Sequence, residues 1–193
     1  MATETEHLSH QTELAATVRL VAGFWLNEMD QNGLQLFQDP GIKRAWIELG
    51  GSVLDGEADP SETLDRLAAD YCQLLIGPKK HLPPVQSVWV DHIFQSRATS
   101  STDRYYALYA DYLPPGTLHD HLGCQLHFVA FLLDEASRSG ESTKSAMQVL
   151  AQFQEEHLQW SQQLLARVVQ KADTDFYRGL AVVTGQLIKE LAH

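Results

Sequence analysis

Residues 118–137 read LHDHLGCQLHFVAFLLDEAS, and this stretch decides the fold. Leu122, Leu126, Phe128, Val129, Phe131, Leu132 and Leu133 place apolar side chains around most of a helix's circumference. A helix with so little polar face must be covered by other helices, which makes it the central one. Outward from it, no segment shows sustained period-two alternation, the mark of a half-buried strand. The reading is therefore all-α: a single-domain helical bundle over residues 1–193, with a loop or hinge region at about 77–103.

Toward the N-terminus, Pro114-Pro115-Gly116 separates the central helix from a helical segment over about 104–112 bearing Tyr105, Tyr106, Tyr109 and Tyr112. Before that lies LAADYCQLLIGPKKHLPPVQSVW, Leu67 to Trp89. It begins as the end of an apolar helix, breaks at Gly77-Pro78, crosses a loop stiffened by Pro83-Pro84 and finishes on an aromatic. A long, proline-constrained loop between helices carries function more often than it fills space. Val85, Val88, Trp89 and Phe94 suit a peptide site, the alternative being that Trp89 anchors the loop in the core. The preceding helix starts at Asp59-Pro60-Ser61-Glu62, where Asp59 caps, Pro60 fits the first turn and Glu62 sits at the capping-box position. It buries Leu64, Leu67, Ala68, Tyr71 and Leu75, and Pro78 stops it. Nearer the start, a helix over about 10–28 carries Leu14, Val18, Val21 and Trp25, with Leu20 and Phe24 widening the stripe. Asn32-Gly33 punctuates, Leu34, Leu36 and Phe37 sit on a short helical piece, and Asp39-Pro40 opens another with Ile42, Ala45, Trp46 and Leu49. Gly50-Gly51 ends that one, and a polar loop runs to Asp59.

Toward the C-terminus, Gly140 breaks the central helix. Ser142 or Thr143 caps one long helix to about Lys171, with Phe153, Trp160, Leu164 and Val168 on one face. Asp173 or Thr174 caps the last helix, which buries Phe176, Leu180, Val183, Leu187 and Leu191.

Composition limits the function classes. Apolar residues make up 44% and charged residues 20% of the 193, an ordinary globular balance. The net charge of -11, from 14 Lys+Arg against 25 Asp+Glu, repels phosphate backbones, and Lys79-Lys80 is too small a basic patch to reverse that. Nucleic acid is not an expected partner. Cys72 and Cys124 both fall in apolar helical patterns and read as buried free thiols in a reducing compartment. The opening MATETEHLSHQTE has no basic region followed by an apolar one, and Phe128–Leu133 is too short to span a bilayer. The expectation is a cytoplasmic protein without stable membrane insertion.

Catalytic constellations are thin. His119, Asp120, His121, Cys124 and His127 cluster at the start of the central helix, and His121, Cys124 and His127 step by three. A metal-dependent hydrolase built on residues 119–127 is the rival reading. However, successive steps of three drift around a helix, and the paired Glu-x-x-His arrangement of di-iron bundles is missing. The bland reading is that Asp120 caps or hydrogen-bonds the turn with one histidine as its partner. His157, between Phe153 and Trp160 on an apolar face, reads as a hydrogen-bonded core residue. Ser87 has no base nearby in sequence, no G-x-S-x-G elbow exists, and Gly77-Pro78-Lys79-Lys80 lacks the spacing of a phosphate loop. No catalytic residue, metal or cofactor is assigned, and the chain reads as a non-enzyme.

The segment LAADYCQLLIGPKKHLPPVQSVWVD, residues 67–91, resembles the signature of the TorD/DmsD/NarJ superfamily: a helix ending in a Tyr-x-x-Leu-Phe-x-Gly-like stretch, a proline loop, then Ser-Val-Trp. Asp120-His121-Leu122 is similar to that family's Asp-His pair opening a central apolar helix, and His157-Leu158-x-Trp160 echoes a third, weaker motif. The resemblance implies a TorD/DmsD-like bundle acting as a cytoplasmic, cofactor-free chaperone. Its implied partner is a molybdoenzyme precursor, bound at its twin-arginine signal peptide or as the apo-enzyme until cofactor insertion is complete. Family binding positions carry over to Tyr71, Leu75, Gly77, Pro84, Ser87, Val88, Trp89, Asp91, Asp120 and His121. Monomer and homodimer, domain-swapped or not, remain open. An interaction module for an unrelated enzyme is a third reading. The family's common Glu-Pro before the Asp-His pair is replaced here by Thr117-Leu118 and then His119, so the client is not named by sequence.

Overall fold

The structure, a computed structural model, describes residues 4–52, 59–78, 80–110, 116–138 and 141–191, with side chains from 11 onward except 141 and 142. The helices are α1 (Glu4–Leu26), α2 (Gln31–Leu36), α3 (Pro40–Glu48), α4 (Pro60–Tyr71) with a π-helical turn at Cys72–Ile76, α5 (Gln86–Val90), α6 (Arg97–Tyr109), α7 (Leu122–Ser137), α8 (Glu141–His157), α9 (Ser161–Lys171) and α10 (Asp175–Glu190). The described residues contain no strand beyond an isolated antiparallel bridge between Val85 and His121. The fold is all-α, as the periodicity requires. The chain forms two compact units, one running to Leu26 and again from Val85 to Ser161, the other comprising Asn27–Pro84 and Gln162–Leu191.

In the first unit α7 is the central helix, packed between α1 and α8. Leu122, Cys124, Leu126, Phe128, Val129, Leu132 and Leu133 are all buried. Each large apolar side chain there stabilises the fold by roughly 1.5–3 kcal/mol. The α1 face of Ala15, Val18, Val21, Ala22 and Trp25 meets it. A Cβ on Gly123 would lie 2.5 Å from Leu26 Cγ and 2.9 Å from the Ala22 carbonyl oxygen, so only glycine allows these two helices to approach this closely. Phe128 packs against Phe153 and Tyr106 at ring distances of 4.6 and 5.0 Å.

Several boundaries differ from the sequence expectation, each for a local reason. The central helix begins at Leu122, not 118, because His121 is extended (φ -68, ψ 135) and caps it. The helix expected at 104–112 begins at Arg97, where the Ser96 hydroxyl accepts from Ala98 N at 3.2 Å. Its Ser/Thr-rich first turns hold because Thr102 Oγ1 bonds back to the Ala98 carbonyl at 3.0 Å. The supposed loop at 77–103 thus contains α5 and half of α6. Tyr112, Pro114 and Pro115, and the break at Gly140, lie outside the described residues. The single helix to Lys171 is two, interrupted at 158–160. There Trp160 Nε1 donates to the His157 carbonyl (2.7 Å), and Ser161 donates to the Leu158 carbonyl from both Oγ (2.6 Å) and N (3.2 Å), a tightened three-residue turn in place of the α-helical bond.

In the second unit Asp39 and Asp59 cap α3 and α4, each followed by a proline in the first turn. Trp46 stacks on Phe176 (5.6 Å, 4° between planes) and meets Phe37 edge-on. The Asp70 carboxylate, buried at 4% exposure, accepts from Asp173 N (3.1 Å), Thr174 N (2.8 Å) and Thr174 Oγ1 (2.6 Å), while Thr174 caps α10. One sequence expectation fails here: Cys72 is exposed. The buried face runs through Leu67, Tyr71, Leu74 and Leu75, and the residue directly after Tyr71 is turned some 100° away from it, onto the outside. Cys124 is buried as expected.

Candidate functional site

The first unit brings the Asp120-His121 turn against residues 85–91. Val85 bridges to His121, and Gln86 N donates to the Asp120 carbonyl at 2.9 Å. Val85 offers no side-chain cap to α5. Asp120 supplies one instead, its Oδ2 accepting from Ser87 N at 2.9 Å. A carboxylate at a helix N-terminus is well placed against the partial positive charge there. Asp120 and Ser87 are both fully buried, and among the described residues Asp120 Oδ1 and Ser87 Oγ have no hydrogen-bond partner. His121 Nδ1 accepts from Gly123 N at 3.1 Å, so its ring proton sits on Nε2. Burial pushes the His121 pKa down to about 4 against the pull of Asp120, which keeps the imidazole neutral as that role demands.

Beneath this turn lies a buried polar network. Gln125 Nε2 donates to Gln86 Oε1 (2.6 Å), and Gln86 Nε2 donates to the Glu156 carbonyl (3.1 Å). Trp160 Nε1 also reaches Gln125 Oε1 at 3.0 Å. His157 Nδ1 lies 2.9 Å from Gln86 Oε1, which can only accept, so Nδ1 carries the proton and Nε2 accepts from Ser101 Oγ at 3.1 Å. Burial lowers the His157 pKa, with Glu156 and Asp120 opposing. His157 is therefore the hydrogen-bonded core residue its sequence context suggests. Gln86 and Gln125 are the residues sequence reasoning missed. A glutamine in the middle of so apolar a helical stretch, Gln125, was the available signal.

The network holds α5 through Gln86, and the residues that follow are more exposed. Val88 and Trp89 are half-buried, Asp91 is exposed, and Val90, Ile93 and Phe94 are 54%, 57% and 58% exposed. The remaining sequence-named positions belong to the second unit, and all are buried. Tyr71 lies 5.9 Å from the Tyr177 ring, and burial raises its pKa. Leu75 sits in the π-helical turn, closed by Gly77 N donating to the Cys72 carbonyl at 2.6 Å. Pro84 ends this unit's segment.

The histidine–cysteine cluster does not converge. His119 bonds through Nδ1 to Asp103, and His121 caps its own helix. Burial pushes the Cys124 thiol up to about 12. Among the described residues no group of three or more His, Cys, Asp or Glu side chains is arranged to hold a metal.

A family model described as nitrate reductase delta subunit matches residues 38–166. The match covers both the 85–91 segment and the Asp120-His121 turn. The chain is 28% identical over 128 residues to the chaperone protein YcdY of Escherichia coli (strain K12), a stretch covering 66% of this chain and 64% of that protein. No solved structure matches. The chain belongs to the nitrate reductase delta subunit family, which includes the chaperones of the TorD/DmsD/NarJ type that residues 67–91 resemble.

Proposed function

From that membership we propose that the protein is a redox-enzyme maturation chaperone, not an enzyme. It binds a molybdoenzyme precursor in the cytoplasm, through the twin-arginine signal peptide or the apo-enzyme itself, and releases it after cofactor insertion. One observation carries this reading. The buried Asp120 carboxylate caps α5 through Ser87 N, and the same segment turns Val88, Trp89, Val90, Ile93 and Phe94 partly or largely to the outside. A turn anchored in this way and displaying apolar side chains suits contact with a client segment. Ser87, Val88, Trp89, Asp91, Asp120 and His121 form the proposed client site. Tyr71, Leu75, Gly77 and Pro84 enter as buried residues shaping the chain that leads to Val85.

Magnitudes indicate what such a site does. Burying three apolar client side chains contributes on the order of 5–9 kcal/mol. Ordering a flexible peptide takes back roughly 2–5 kcal/mol, besides the loss of overall freedom. Exposed arginine–carboxylate pairs add about 0–1 kcal/mol each. Apolar contact therefore sets affinity and charge selects the segment, giving roughly micromolar binding, weak enough for release. Calorimetry with twin-arginine peptides tests the signal-peptide version. Absence of heat and of competition across several candidate clients at high protein concentration sinks it, while co-purification of an apo-molybdoenzyme would support the enzyme-body version.

A further inference from the structure

Next to the Asp120-His121 turn, a cavity of about 380 Å³ opens between α6 and residues 117–119. Ser96, Thr99, Ser100 and Asp103 line it from one face of α6, at the three- and four-residue spacing that stacks side chains along a helix. Thr99 is 8% exposed, and among the described residues its buried Oγ1 has no hydrogen-bond partner. Ser100 Oγ gives its proton to the Ser96 carbonyl at 3.5 Å, which leaves its lone pairs available. Asp103 is engaged by His119 through Oδ1, with no further partner among the described residues, and is half-exposed, at 51%. The wall is thus rich in acceptors and carries one formal negative charge.

The matching ligand is a cation with several donors. The start of α6 contributes about half a positive charge at its first turn. Asp103 brings a full negative one, on a chain of net charge -11, so the field favours a cation. A guanidinium offers five N–H donors in a plane, an ammonium three on a point, and only the former reaches hydroxyls and carboxylate together. The chain enters the cavity wall at Gln95 directly from the exposed Ile93 and Phe94. His92 and Gln95, at φ 60 and 61, bracket that pair in the left-handed region. We propose that this cavity takes the guanidinium of an arginine in an extended client segment, with Asp103 as the paired carboxylate and Ile93-Phe94 against an apolar neighbour of that arginine. The source of the arginine rests on the client-binding reading above; the cavity's chemistry does not.

Titrating N-acetyl-arginine amide into the whole protein, followed by amide NMR shifts, tests the cavity without any client. Shifts confined to residues 95–103 and 117–119, weaker with N-acetyl-lysine amide and lost in Asp103→Asn, support it. No shifts, shifts elsewhere, or inorganic phosphate displacing the arginine derivative overturn it. Calorimetry then compares a twin-arginine peptide with its arginine-to-glutamine form. Asp103→Asn should weaken the former by roughly fivefold and remove the preference, with Thr99→Val acting in the same direction. A peptide that binds wild type and Asp103→Asn alike overturns the cavity assignment and leaves the chaperone reading standing. An arginine derivative that fills the cavity while no peptide binds supports the assignment and removes the signal-peptide reading instead. Thermal melting of both variants confirms that folding is unchanged.

Discussion

Asp120 Oδ2 holds Ser87 N at 2.9 Å across a sequence separation of 33 residues, with both residues fully buried. This one bond fixes where α5 begins relative to the turn that opens α7. Replacing Asp120 by Ala leaves a buried N–H unpaired, at a cost of about 1–3 kcal/mol. Asp120→Asn retains an acceptor and should cost distinctly less. Urea unfolding of the two variants measures the difference, and equal losses would mean that the carboxylate's charge, not its acceptor atom, is what α5 requires.

His121 gives the pH dependence a sign. Its folded pKa, about 4, lies below the ordinary 6.5, so below neutrality the unfolded chain binds more protons than the folded one. The stability it contributes is fully present above about pH 6.5 and is lost as pH falls toward 4. The whole effect is on the order of 3 kcal/mol. His157, also lowered by burial, acts in the same direction. His121→Asn keeps an acceptor for Gly123 N but does not titrate. Between pH 7 and 5 its stability should fall less steeply than wild type, as read by chemical denaturation at each pH.

Gly123→Ala tests the packing of the central helix. The added Cβ would stand 2.9 Å from a backbone oxygen of Ala22 as well as against the Leu26 side chain, and backbone cannot rotate away. Overpacking of this kind costs about 1–3 kcal/mol. Melting temperature should fall while helix content by circular dichroism is retained.

The central helix was legible because its apolar residues wrap all round, which leaves no alternative to burial. The Asp120-His121 turn and the histidine at 157 were legible as polar residues at places where a helix starts or a core face runs. What was hidden depends on contacts far apart in sequence. Gln86 and Gln125 pair across 39 residues, and nothing local to either announces the other. The 158–160 interruption has no glycine or proline to mark it, and the side-chain bonds of Trp160 and Ser161 to carbonyls of the preceding turn leave no local sequence signal. Cys72 misled because an apolar pattern was read around the full turn, when only the Tyr71 side of it is covered.

Trp89 separates contact from support. It is half-buried on an α5 whose start is fixed by Asp120 and whose inner side is held by Gln86 through Gln125 and His157. With those anchors intact, Trp89→Ala removes apolar surface from α5 while the Asp120–Ser87 cap and the Gln86 network keep their partners. Binding of a twin-arginine peptide or of apo-molybdoenzyme should then weaken by one to two orders of magnitude, since full burial of such a side chain is worth roughly 1.5–3 kcal/mol. Helix content and cooperative melting should persist. If instead the variant loses cooperative melting, Trp89 is a core anchor, and the client contact must pass to the more exposed Val90, Ile93 and Phe94.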